Sequence, residues 1–265
     1  MDLGLEGKAC IVTGASRGIG RATAEALCAE GARVLLVARG EDEVEQAAGA
    51  CRALGGEALA VALDVVAPPA AQELTDRCTT EFGRIDAVVN NAGTSAVRSL
   101  DELTDDDWRA QWLLNVMAPM RLTHAVAPLM AAAGGGAIVN VCSSSGRRPS
   151  STNAAYSVTK AAELALTREL AAQYGDQGVR INAVAPGPTT SELWLAPGGL
   201  LDQVAEQQGV PRDEALKTAS ERIPLKRYGT VEEVAAVIVL LCAGQIAPSG
   251  AIWPVDGGHV SGTIS

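Results

Sequence analysis

Tyr156 and Lys160 stand four residues apart in YSVTK, inside a stretch whose apolar spacing predicts a helix over 154–174, so phenol and ammonium share one face. An unperturbed tyrosine loses its proton only near pH 10, and a neighbouring ammonium favours the phenolate, which suits the hydroxyl to proton exchange closer to neutrality. By itself the spacing marks no more than a structural pair on a helix. Upstream, the first apolar run, ACIVT, leads directly into TGASRGIG at 13–20 and an Ala-rich segment. Gly14, Gly18 and Gly20, with Ser16, Arg17 and Ile19 between them, permit a sharp strand-to-helix turn. There backbone N–H groups and the helix dipole stabilise an anion such as a pyrophosphate. A tight connection with no ligand satisfies the same pattern.

The next apolar run ends in Ala38-Arg39. In a dinucleotide fold this position meets the adenine ribose, where an acid would take the 2′-hydroxyl. Arg39 and Arg17 instead offer two positive charges to a 2′-phosphate, which points to NADP(H) in preference to NAD(H). Two solvated surface arginines are the alternative reading.

Seven short apolar runs must position these residues: Ala9–Thr13, Arg33–Ala38, Ala58–Leu63, Ala87–Asn90, Ala137–Cys142, Arg180–Val184 and Ala251–Val255. Helical patterns near 19–30, 41–54, 69–82, 105–132, 154–174 and 231–243 alternate with them, which predicts βαβ units and a parallel sheet covered on both faces. No linker or internal repeat divides the chain, so one domain over 1–265 is expected. Thr104 followed by Asp107 reads as a helix N-cap with an acidic first turn, not as a metal site. The stretch 188–229 breaks the alternation with Pro, Gly and apolar clusters such as Leu193-Trp194-Leu195. It reads as a substrate lid or as an excursion packed on itself.

Composition narrows the function. The 265 residues carry 31 Asp and Glu against 21 Lys and Arg, a formal charge of −10, which disfavours nucleic acid and anionic membranes as partners. With 48% hydrophobic but only 3% aromatic residues, the core must be built from aliphatic side chains. Six scattered cysteines without a CxxC pair and only two histidines argue against a metal site. The N-terminal segment is too broken by charge and glycine for a secretory signal, and the longest apolar stretch, 234–243, is about half a membrane span. A reduced, cytoplasmic location is therefore expected.

The order of features carries more than any one of them: the glycine turn, NNAG at 90–93, Asn115 in LLNVMAP, the run IVNVCSS, Tyr156 with Lys160, Pro186-Gly187, and VDGG at 255–258. Together they resemble the short-chain dehydrogenase/reductase family over essentially the whole chain. The resemblance implies a single Rossmann-like doubly wound α/β domain with a seven-stranded parallel sheet. Ser143, thirteen residues before Tyr156, would orient the substrate carbonyl, and Tyr156 would exchange the proton. Lys160 would bind the nicotinamide ribose and favour the tyrosinate, with Asn115 in the proton relay. Asp64 and Val65 would lie at the adenine. Asn90, Asn91, Ala92 and Gly93 would floor the cofactor site, and Pro186, Gly187, Thr189 and Ser191 would meet the carboxamide. Family members are usually homo-tetramers or dimers.

The family takes many carbonyls and alcohols, and fold alone does not choose among them. This chain is similar to 3-oxoacyl-carrier-protein reductases, yet LMAAAGGGAIVN and AAQYGDQGVR carry no Lys or Arg before Arg180 with which to dock an acidic carrier. Arg98, Arg147 and Arg148 offer charge for an anionic group or simple surface exposure. The apolar cluster at 193–195 favours a free, medium-sized hydrophobic ketone or alcohol. A dinucleotide-binding sensor without turnover is the remaining alternative.

Overall fold

A strand buried on both faces cannot alternate apolar with polar residues, and the central runs of this chain do not. In the computed structural model, which describes residues 2–150 and 152–260, these runs form strands β1 (Ala9–Thr13), β2 (Arg33–Ala38), β3 (Glu57–Ala62), β4 (Ala87–Asn90), β5 (Gly136–Val141), β6 (Val179–Pro186) and β7 (Ile252–Val255). All pair in parallel in the order β3-β2-β1-β4-β5-β6-β7. The expected boundaries hold to within two residues; β6 runs on to Pro186 because Val255 of β7 pairs with it.

Successive residues of each strand feed opposite layers. Cys10, Val12, Val34 and Leu36 pack with α1 (Gly18–Ala29), α2 (Glu41–Ala53) and α10 (Val231–Cys242). Ile11, Leu35, Val37 and Val88 pack with α3 (Ala70–Phe82), α5 (Ala118–Ala132) and α6 (Ala154–Tyr174). Full burial of one such side chain contributes about 1.5–3 kcal/mol, so the two aliphatic layers stabilise the sheet without aromatic residues. Strand order reverses between β1 and β4, and a crevice therefore opens beyond their carboxyl ends.

The helix expected over 105–132 is corrected to three pieces: α4 (Asp105–Trp112), a π-helical turn at Leu113–Met117, and α5. Pro119 explains the break. In a regular α-helix it would offer no N–H to the Asn115 carbonyl, and its ring would collide with that group. Thr104 and Asp107 form a capping box at the start of α4. The 188–229 excursion is folded, with α7 (Glu192–Leu195), α8 (Leu200–Gln208) and α9 (Arg212–Glu221) around a small core of Leu201, Ala205 and Ala215. Its two ends meet where Thr190 N donates to Gly229 O and Gly229 N to Pro188 O.

All six cysteines are buried and free. Among the described residues, no helix is long and apolar enough to cross a membrane, and no His, Cys, Asp and Glu cluster could hold a metal.

Candidate active site

The turn between β1 and α1 is built by close approach. Gly14 and Gly18 have φ of +65° and +57°, and a Cβ on Gly20 would stand 2.3 Å from the Gly14 carbonyl oxygen. Asn91 Nδ2 donates to the carbonyls of Thr13 (2.9 Å) and Gly14 (3.1 Å), while Thr13 Oγ1 accepts from the N–H groups of Asn91 and Ala92. NNAG is thus the clamp on the glycine turn. No side chain caps the start of α1, and its first turn holds no acid. By contrast, α2, α4 and α10 all begin with acidic residues. A Cβ on Gly18 would stand 3.5 Å from Glu192 Oε2, so the N-terminus of α1, uncapped by any side-chain hydrogen bond, already has an anionic group beside it, and these residues fit a dinucleotide.

A cleft of about 1390 Å³ runs from this turn along the carboxyl ends of the strands. Every residue singled out above for cofactor or catalysis lines it except Gly20, Asn90 and Asn115. Gly20 faces the turn instead. Asn90 is buried one layer down, where its Nδ2 donates to Asn140 Oδ1 and Asn140 Nδ2 donates to Thr167 Oγ1. Arg17 and Arg39 are exposed at one end of the cleft near Asp64, and neither is engaged in an ion pair among the described residues.

At the other end, three elements converge. Ser143 follows β5, and its Oγ accepts from Ser145 N at 3.1 Å, which leaves its own proton free to be donated. Tyr156 lies half-buried on α6. Lys160, only 2% exposed, places Nζ 5.8 Å from the centre of the Tyr156 ring and donates to Val141 O (2.9 Å) and Glu163 Oε2 (2.7 Å). Burial works against its ammonium, but the Glu163 carboxylate prevails and holds the pKa above the ordinary lysine value.

Asn115 sits in the π turn. Its Nδ2 donates to Gln111 Oε1 (2.8 Å) and Thr159 Oγ1 (3.0 Å), while its Oδ1 is buried without a partner among the described residues. A Cβ built on Gly93 would stand 3.7 Å from that oxygen and 3.8 Å from Lys160 Nζ. The side chain that glycine lacks would fill the space between these two groups.

Trp194 and Tyr228 close the far wall, edge to face at 5.5 Å between centroids. Leu193, Leu200, Val204 and Ala215 extend its apolar surface. Tyr228 Oη and His259 Nδ1 are buried without hydrogen-bond partners among the described residues. Burial holds the His259 pKa below the ordinary value, Asp256 opposing and Arg148 adding to the effect. Arg148 lines the cleft and Arg147 does not, whereas Arg98 is paired with Asp107 at 2.6 Å. The excursion packs on its own core and contributes Leu193, Trp194, Leu200, Val204, Ala215 and Tyr228 to the cleft.

Sequence reasoning passed over Gly146, Glu163, Tyr228 and His259. Gly187 also has a packing role, since a Cβ there would approach Asp256 Cα to 2.8 Å. This contact seats the excursion on the VDGG segment.

Comparison with known proteins agrees with the fold. Residues 8–196 match the family model for short chain dehydrogenase. A sorbitol dehydrogenase from Cereibacter sphaeroides is 34% identical over 96% of this chain and 98% of its own. A 3-oxoacyl-[acyl-carrier-protein] reductase from Thermotoga maritima is 33% identical over 97% and 99%. Among solved structures, L-sorbose reductase from Gluconobacter frateurii, complexed with NADPH and L-sorbose, superposes with a TM-score of 0.93 at 34% identity, covering 99% of this chain and 100% of that one.

Proposed function

The chain belongs to the short-chain dehydrogenase family and is an NAD(P)-dependent oxidoreductase; from that premise we propose that it interconverts a free, medium-sized ketone and its secondary alcohol using NADP(H). One observation carries the reading: Ser143, Tyr156 and Lys160 line the same cleft as the glycine turn, with Lys160 Nζ 5.8 Å from the centre of the Tyr156 ring. When bound, the nicotinamide dinucleotide supplies or accepts the hydride. In the reductive direction Ser143 donates its free proton as a hydrogen bond to the substrate carbonyl oxygen, and Tyr156 gives that oxygen its proton. In the oxidative direction the tyrosinate takes the alcohol proton. Lys160 stabilises the tyrosinate and would hold the ribose. Asn115 Oδ1 accepts a proton-carrying partner in the relay that re-protonates the site.

The unpaired Arg17 and Arg39 support a 2′-phosphate, and hence NADP(H) over NAD(H). The wall formed by Leu193, Trp194 and Leu200 supports a lid role for 188–229 and a substrate with an apolar portion. Tyr228 Oη and His259 Nδ1 support a hydroxyl or similar polar group at its other end. Similarity to enzymes named for sorbitol and sorbose agrees with that polar end. The second reading, an acyl-thioester reductase, has the Thermotoga relative in its favour and the acidic charge of this chain against it. Trp112, Leu113, Leu129 and Val158, large and exposed on the helices from α4 to α6, support association of identical copies through that surface.

Fluorescence titration with NADPH and NADH, followed on the same sample by a panel of sugars, hydrophobic ketones and acyl thioesters, tests this reading. Tighter NADPH binding with turnover of free ketones is expected. Turnover confined to thioesters would transfer the assignment to the second reading, and binding without turnover anywhere on the panel would count against catalysis.

A further inference from the structure

Glu163 is an acidic side chain that the reaction above does not use, yet it is as buried as Lys160, each being 2% exposed, and burial pushes its carboxyl above the ordinary value against the pull of Lys160. Carboxylates are almost never found so deep without a task or a partner. Its partner is plain: Oε2 accepts from Lys160 Nζ at 2.7 Å. A lysine stripped of water tends to lose its proton, and a neutral amine would give the tyrosinate no electrostatic support. Few groups near Nζ could offer it a counter-charge. On α6 there are Tyr156 and Glu163; at the end of β5 there are the Val141 carbonyl and the Cys142 thiol; from the π turn comes the Asn115 amide. Burial keeps Cys142 a neutral thiol. Of these groups only Glu163, held to Nζ at 2.7 Å, can supply a negative charge while Tyr156 is protonated.

Position reinforces the point. Tyr156, Lys160, Glu163 and Thr167 lie along one face of α6, and the face is pinned from below. Thr167 Oγ1 donates to Glu163 O at 2.8 Å and accepts from Asn140 Nδ2 at 2.9 Å, which ties the helix to β5. The helix backbone at Glu163 is thereby tied to β5, and the carboxylate itself meets Lys160 Nζ at 2.7 Å.

We propose that Glu163 is a positioning residue that keeps Lys160 protonated and seated against Val141, and through it sets the pH at which Tyr156 ionises. The proposal rests on the reading in which Tyr156 exchanges the substrate proton.

E163Q keeps the shape and an acceptor oxygen but removes the charge. Tyrosinate absorbance, titrated without substrate or cofactor, supplies the readout. The chain has three tyrosines, and the difference from Tyr156→Phe identifies the step that belongs to Tyr156. In E163Q that step should move to higher pH, with the tyrosinate fraction at a given pH below the transition falling about tenfold or more; E163D should show a smaller move in the same direction. An unmoved step in folded E163Q overturns the proposal. A move to lower pH does so as well, because it would mean that Glu163 merely repels the tyrosinate. Should E163Q not fold, E163D decides alone, an upward move supporting the proposal and an unmoved step overturning it. Turnover retained in Tyr156→Phe would instead defeat the proposed function, and the ionisation measurement would still judge Glu163 separately.

Discussion

Gly146 lies against the backbone of Lys160 so closely that a Cβ on it would stand 2.7 Å from the Lys160 carbonyl carbon and 2.8 Å from its oxygen. The turn that follows Ser143 is therefore seated directly on the helix that carries Tyr156. Gly146→Ala must lift this turn away from α6. Since a displacement of about 1 Å between reacting groups can cost on the order of 10²-fold in rate, kcat should fall by roughly that factor. NADPH affinity should change little, because the glycine turn lies elsewhere. Steady-state kinetics beside a fluorescence titration checks both halves.

Arg39→Asp exchanges a cation for an acid at the end of the cleft where Arg17 and Asp64 also lie. A charge-assisted hydrogen bond contributes about 1.5–3 kcal/mol, and exposure of Arg39 places the expected loss of NADPH affinity toward the low end, about tenfold. NADH affinity should hold or improve. An unchanged ratio of the two dissociation constants would remove Arg39 from cofactor choice.

Much of this site was legible before any coordinates. The glycine turn follows from where glycine must stand between a strand and a helix, and the Tyr156–Lys160 pairing follows from helical period alone. What sequence concealed depends on tertiary packing. The π turn at Asn115 needs Pro119 to be weighed against the helix it interrupts. Glu163, set among alanines and leucines, carries no sequence signal of the burial and the contact to Lys160 that the fold gives it. Tyr228 reaches the cleft from the end of the excursion and His259 from the segment after β7, two stretches far apart in the chain from the glycine turn.

Asp86 ties the start of β1 to the segment before β4. It accepts from Ala9 N at 2.9 Å, from Arg84 at 2.6 and 2.7 Å, and from Lys8 at 3.3 Å. Burial opposes its ionisation, but these donors prevail and hold its pKa below the usual carboxylate range. A depressed folded-state value means stability that is present above the unfolded pKa, near 4, and lost as pH falls through the folded one. Asp86→Asn should cost about 1 kcal/mol at neutral pH, with Lys8 and Arg84 partly exposed and screened. Urea unfolding should show the deficit shrinking in acid; a deficit independent of pH would contradict the assignment.

Trp194 presents its ring to Tyr228 and to the cleft. Trp194→Ala removes an aromatic face worth about 1.5–3 kcal/mol of apolar burial, so KM for a hydrophobic ketone should rise tenfold or more while NADPH affinity holds. Equal losses for polar and apolar substrates would point to collapse of the α7–α9 unit instead of a lost contact.

The central claim is that Tyr156 transfers the substrate proton in a cleft that binds NADP(H). Tyr156→Phe, assayed for NADPH binding by fluorescence and for turnover of the best carbonyl substrate, tests it most directly. The account predicts unchanged NADPH affinity with kcat/KM reduced about 10²–10⁴-fold, the usual contribution of a positioned general acid or base. Turnover within a few-fold of the wild-type chain would contradict it.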